Sequence, residues 1–530
     1  MPRDAGGTAP ADGRASDARS KQVRSGRSSG LGGTTADAPP TAGALTHATP
    51  RTAAPVSPRA LLSRALSVPL VLGLTVFLPL AVVVQPGAGT RDVAYWLQLT
   101  LTMYAGARLS GMILTGRRKL LQGSFWLFVY MAMGVAPLAQ VVLGQTPTPV
   151  VGPRSDLAEA IALVLVGCTA FDVGALLARH RRPGVEDDGQ GRALLVHRRR
   201  LTLLVLLAFA GSAALIVKLG GPAVFFTSRQ EIIADIQDAG IAQDGSQAGQ
   251  ALWRGFGTVP ALIALLVYTR RLVTSRRARR SPAWIAVWAG LVAVNLVVNN
   301  PVSNPRYWFL TVLFALLFTV FPVSAAMYRS ALTLGVVVAL ILFPFADRFR
   351  YDAKNYRPLQ TTSVFEPLAV KDYDQMGMFA NTLTYVESGA GHTWGKQVAG
   401  AVLFAVPRTV WPGKPLDTGV LVGQWTGAVN TNLSSPVWAE LWIDAGPVGM
   451  AAGLLGIGYA AARVDRRHAR AANRRAPPGS LICLVVPLIA GYSFILLRGP
   501  LLQASGRVAI ALCCFLLIMT RRQDRAALMH

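Results

Sequence analysis

Three groups of residues in the C-terminal half combine side chains that hold anions with side chains that move protons. The stretch Phe404-Ala405-Val406-Pro407-Arg408-Thr409-Val410-Trp411-Pro412-Gly413-Lys414-Pro415 carries two cations, three prolines and a tryptophan. Proline removes backbone donors and breaks helices, so this is a stiff polar rim with its charges held beside apolar surface. Upstream stand Asp374 and His392, and downstream Glu440 and Asp444. The last two are four residues apart, which puts both carboxylates on one helix face, with Pro436 suited to the first turn. His392 carries the side-chain type most used to deprotonate a hydroxyl, although a lone loop histidine is more often surface than catalytic. Arg229, Arg254, Arg306, Arg348, Arg350, Arg408, Lys414, Arg498 and Arg507 all fall at the outer ends of apolar runs or in the loops above them. Some of these snorkel or balance Asp347, Asp352 and Glu366. Together they form a cationic basin for a phosphorylated or acidic ligand, because the guanidinium fork bonds phosphate oxygens in pairs.

The elements that must position this chemistry are membrane spans. Past residue 65 or so, apolar runs of about 18 to 22 residues recur, the length a helix needs to cross a bilayer. The sequence therefore reads as an all-α polytopic membrane protein with about twelve transmembrane helices, near 66–85, 94–115, 122–144, 157–178, 201–219, 251–269, 283–299, 307–327, 331–346, 436–462, 480–498 and 501–519. Residues 1–62 have almost no large apolar side chains and read as a disordered cytoplasmic tail. The N-terminal bundle covers 63–346, a large extracytoplasmic loop with short helices 347–435, the C-terminal helices 436–519, and a second cytoplasmic tail 520–530. The net charge of +26 sits in short loops after even-numbered spans, at Arg117 to Lys119, Arg179 to Arg200, Arg270 to Arg280, Arg463 to Arg475 and Arg521-Arg522. By the positive-inside rule both termini are cytoplasmic and nucleic acid is not the partner. The same parity makes Gln397 to Val410 an interfacial or re-entrant helix, since a crossing there would export Arg463 to Arg475. Arg108 and Asp172 lie at matching depth and are expected to pair structurally. The four cysteines fall within spans and none stands at metal-ligand spacing to a histidine, so no metal or other cofactor is expected.

Over about residues 345 to 460 the chain resembles the Wzy-type O-antigen polymerases, or oligosaccharide repeat-unit polymerases. The resemblance rests on Pro-Arg followed by Trp-Pro-x-Lys-Pro in 404–415, on Asp374 to Leu383 before it, and on Ser435-Pro436 and Glu440 to Gly449 after it. Gly220-Gly221, Phe225 to Arg229 and Asn300 to Arg306 add to it. It implies a metal-independent, C-type membrane glycosyltransferase that acts on polyprenyl-diphosphate oligosaccharides at the outer face of the cytoplasmic membrane. It also implies membrane lipids, a flippase and a chain-length regulator as partners. On that reading Arg229, Arg306 and Arg408 hold the diphosphate, supported by Lys414 and Arg348. The base is His392 or Glu440, then Asp444 or Asp374. The long N-terminal tail is not explained by the resemblance. An O-antigen ligase or a polyprenyl-linked-sugar transferase, a lipid-linked oligosaccharide transporter and a non-catalytic assembly subunit remain as alternatives.

Overall fold

The computed structural model describes residues 67–180, 194–227, 247–342, 363–369, 373–428, 431, 433–474 and 476–521. The predicted N-terminal tail, Arg229 and Arg348 lie outside them. The helices that matter below are α1 (Val68–Val83), α2 (Val93–Thr115), α3 (Leu120–Leu143), α4 (Arg154–His180) and α5 (Arg198–Lys218). There follow α6 (Gln247–Thr274), α7 (Pro282–Val298), α8 (Arg306–Val320) and α9 (Ala325–Ile341). After these come α10 (Gln375–Tyr385), α11 (Lys396–Val402) and α12 (Thr418–Trp425), and finally α13 (Val437–Asn473), α14 (Ile482–Arg498) and α15 (Leu501–Ile518). Each predicted span overlaps one of these helices. Six of them, α3, α4, α5, α6, α13 and α15, are long and apolar enough to cross a membrane. Large apolar side chains also stay exposed on their outer faces, such as Leu203, Leu206 and Leu207 on α5 and Leu512 and Leu516 on α15. Faces of that kind are stable in lipid rather than in water. The chain is a mostly helical, membrane-embedded protein.

Local signals set the helix ends. Asp92 caps α2 by accepting the Tyr95 N–H at 3.1 Å, and α2 stops at Gly116 with φ +58°. Ser324 caps α9 through the Met327 N–H. α3 is mostly apolar and its apolar window is buried on all sides, as a helix in the middle of a bundle must be. Its Phe125 stacks on Phe171 of α4 with ring centroids 3.6 Å apart and lies 5.7 Å from the Trp438 ring of α13. A second core joins α5, α6, α7 and α15, and α8 and α14 contribute side chains to both cores. Arg108 and Asp172 pair at 2.5 Å, and the Tyr104 hydroxyl donates to the other carboxylate oxygen at 2.6 Å.

The basic segments gather at one end of the bundle. Leu194–Val196 (β1) pairs antiparallel with Met519–Arg521 (β2), and Leu195 also bridges Ser480. This two-stranded sheet is the departure from an all-α fold among the described residues. The Arg200 guanidinium donates to the Met519 carbonyl, Arg118 to the Asn473 side chain, and Arg466 to the Ala178 carbonyl. At this end Asp465 of α13 is buried and accepts the backbone N–H groups of Leu121 and Gln122 at 3.0 and 3.2 Å, with the Gln122 amide at 3.1 Å. It thus satisfies the open donors at the start of α3. The carboxylate ties the central helix to α13. Asp465→Ala is expected to cost about 1–3 kcal/mol, read as a lower melting temperature in detergent, with Asp465→Asn recovering part of the loss.

Candidate functional site

At the opposite end α13 is broken. Pro447 has no N–H to give Ile443, four residues back, and Ala445 and Gly446 leave helical geometry at φ −151°, ψ 23° and φ +64°, ψ −165°. The short half-helix 437–444 is therefore separate from the long remainder. Its freed carbonyls are taken up by the preceding segment: Thr393 N–H donates to Ile443 O at 2.8 Å and Gly395 N–H to Asp444 O at 3.3 Å. The Asp444 carboxylate then accepts the N–H groups of Gln397 at 2.9 Å and Val398 at 2.7 Å, together with the Thr393 hydroxyl. Asp444 is the cap of α11, and all these donors hold it in place. Of the predicted interfacial stretch Gln397 to Val410, only the part up to Val402 is helical.

The proline-rich rim is closed on itself. Lys414 is buried and its Nζ donates to the carbonyls of Phe404 at 2.7 Å and Val406 at 2.9 Å. Arg408, on the exposed side, donates to the carbonyls of Lys414 at 2.5 Å and Pro415 at 2.8 Å. Three prolines leave carbonyls here without helical partners, and the two cations collect them. The geometry makes both cations organisers of the rim.

Glu440 and Asp374 stand in a separate buried cluster. Glu440 is 2% exposed; the Thr418 hydroxyl donates to its Oε2 at 3.0 Å, while Oε1 has no hydrogen-bond partner. Ser435 lies beside it. The neighbouring Ser434 hydroxyl donates to Asp374 at 2.6 Å, and Arg498, the last residue of α14, lies 3.7 Å from the same carboxylate. The Arg498 guanidinium sits 5.7 Å from the Tyr307 ring centroid, next to Arg306 at the first position of α8. Gly499, at φ +65°, lets these parts meet: a Cβ there would lie 1.6 Å from the Ser435 carbonyl. His392 is elsewhere. It packs edge-on against Trp442 at 5.0 Å and Trp394 at 5.9 Å, and its Nδ1 has no partner. Trp442 follows Glu440 by two positions, about 200° around the helix, so the two leading base candidates flank opposite faces of the half-helix.

No family model, curated protein or solved structure matches the chain.

Of the sequence-predicted residues, Glu440 and Asp374 are buried beside the adjacent Ser435 and Ser434, while Asp444, Arg408 and Lys414 organise backbone and His392 stands apart. The described residues contain no group of three or more His, Cys, Asp or Glu able to hold a metal ion. Below the Arg498 cluster lies an apolar cleft of about 50 Å³ lined by Tyr307, Tyr373, Phe494, Phe128 and Met131. Sequence reasoning noted Arg498 as one outer cation among many and missed Asp417. The Asp417 carboxylate accepts the Gln503 N–H at 3.1 Å and so caps α15 from the start of α12. Asp-Thr-Gly before a helix reads as a local cap, and nothing in it signals a partner in another helix.

Burial pushes the Asp417 carboxyl up to about 6 from 3.8, against the opposing pull of the Gln503 N–H and of Arg408 and Lys414. A carboxyl raised on folding favours the folded state when protonated. Its contribution is fully present below about pH 4 and is lost as pH rises through about 6, a change on the order of 2–3 kcal/mol. Asp417→Asn is expected to flatten that part of the melting-temperature profile between pH 4 and 7.

Proposed function

We propose that the chain is a membrane glycosyltransferase that polymerises polyprenyl-diphosphate-linked oligosaccharide repeat units. The observation that carries this reading is that the adjacent Ser434 and Ser435 bring the Arg498–Asp374 pair and the unpartnered Glu440 oxygen to one end of the bundle, with an apolar cleft beginning at Tyr307. A lipid diphosphate asks for this combination of apolar wall, cations and base. The prenyl chain packs toward Tyr307, Tyr373 and Phe494, and the diphosphate meets Arg498 and Arg306. Glu440 takes the proton of the acceptor hydroxyl as its oxygen bonds to the anomeric carbon. The bond from that carbon to the diphosphate oxygen breaks, and its electron pair leaves on the diphosphate, which the guanidinium groups neutralise. Arg408, Lys414 and Asp444 hold the rim and α11 around this centre. With the basic end in the cytoplasm, as positive-inside bias requires, the centre faces the outer side of the cytoplasmic membrane, both termini are inside, and about twelve helices span.

The break in α13 favours one other reading, a transporter of lipid-linked sugars, since discontinuous helices line substrate sites in transporters. Purified protein incubated with polyprenyl-diphosphate oligosaccharide, with and without chelator, separates the two. A ladder of lengthened lipid-linked glycans is expected in both conditions. Glu440→Gln is expected to lower its rate at least about 100-fold, and Arg498→Lys at least about tenfold through loss of the planar fork. A single transfer to a different acceptor would make the enzyme a ligase. Intact substrate with folded protein would sink the transferase reading in favour of transport.

A further inference from the structure

The basic end of the bundle holds a second group of cations that the proposed reaction does not use. Arg270, in the last turns of α6, is 2% exposed, and its Nε and Nη1 have no hydrogen-bond partner. His468 of α13 is 1% exposed, and neither ring nitrogen has a partner. The charges acting on His468 are those of Arg270 and Arg118. Arg118 is fixed at this place by bonds to the Pro322 carbonyl and the Asn473 side chain. Cys483, whose N–H donates to the Ser480 carbonyl at 3.3 Å at the start of α14, lies near Arg270. Asp465, one turn before His468, is committed to Leu121 and Gln122. Among the described residues no carboxylate pairs with Arg270.

A guanidinium cannot shed its proton, so burial without a counter-charge is among the most costly arrangements a fold can contain. Water would satisfy the N–H groups but not the charge. An oxyanion does both, and the histidine and second arginine supply further donors around it. Arg276, Arg277 and Arg279 follow Arg270 in the chain and Arg463 and Arg466 precede His468, and a basic segment of this kind attracts anions.

We propose that Arg270, His468 and Arg118 form a binding site for a phosphate group at the basic end of the bundle, at the opposite end from the Glu440 cluster and independent of its chemistry. The phosphate belongs to an anionic lipid headgroup or to free phosphate, and the test distinguishes these. Full-length protein in phosphate-free detergent is titrated with inorganic phosphate at constant ionic strength. In parallel it is placed in bilayer discs of phosphatidylcholine with or without phosphatidylglycerol, and melting temperature is read in each. The wild type is expected to gain stability in one arm, which identifies the source. In Arg270→Met the apparent affinity is expected to fall at least about tenfold, while its melting temperature without anion lies above the wild type because the unpaired charge is gone. His468→Gln provides the same comparison should Arg270→Met not fold. Identical responses of wild type and both variants, or no response in either arm, would overturn the site. Loss of stability on neutralising Glu186, Asp187 and Asp188 in wild type but not in Arg270→Met would also overturn it, by assigning the counter-charge to the chain itself.

Discussion

A missing N–H at Pro447 determines how the outer end of the molecule is built. In an uninterrupted α13, Ile443 and Asp444 would give their carbonyls to residues one turn ahead, and the segment from Thr393 to Val398 would have nothing to bond. With the proline in place and Gly446 taking a left-handed turn, those carbonyls receive Thr393 and Gly395. α11 depends on the same junction. A seven-residue helix does not persist alone, and the Asp444 carboxylate supplies donor satisfaction and charge at its N-terminus.

The same device recurs with Asp465 at the start of α3 and Asp417 at the start of α15. Each is buried and each reaches a helix far away in sequence: 47 residues for Asp444, 344 for Asp465 and 86 for Asp417. A helix N-terminus in a low-dielectric bundle presents open N–H groups that lipid and apolar neighbours cannot satisfy, and a remote carboxylate answers both the bonds and the partial charge. Glu440 is equally buried and lies beside the Leu501 N–H at the start of α15, yet its Oε1 is left without a hydrogen-bond partner. That open oxygen is the reason the proposed reaction places its base at Glu440 rather than at the three aspartates.

Local rules made the helices legible in the sequence, because run length and the Gly and Pro punctuation at Gly116, Pro305, Pro436 and Pro500 are read without tertiary knowledge. The pairing of Arg108 with Asp172 was legible for the same reason, since depth along two helices can be counted. Side-chain roles at the outer end were not. Glu440 and Asp444 share a spacing but differ in what approaches them, Thr418 in one case and the 393–398 segment in the other. The prolines around Arg408 and Lys414 did carry a signal, since they strand carbonyls that nearby cations can collect. The basic segments meet their neighbours through single contacts that parity alone does not specify, Arg200 on the Met519 carbonyl and Arg118 on the Asn473 side chain.

The outer cations also differ in how readily each could turn to an anion. Lys414 is buried against two carbonyls at 2.7 and 2.9 Å, and moving it would unmake the rim. Arg498 stands 3.7 Å from Asp374, well beyond the roughly 2.7–2.9 Å of a close charge-assisted bond. Asp374 does not depend on that arginine, because the Ser434 hydroxyl and N–H hold it at 2.6 and 3.3 Å. Asp374 therefore stays hydrogen-bonded whatever Arg498 contacts. An anion arriving at Arg408 would have to compete with the Lys414 and Pro415 carbonyls that its guanidinium holds at 2.5 and 2.8 Å, which places Arg408 in the scaffold of the rim.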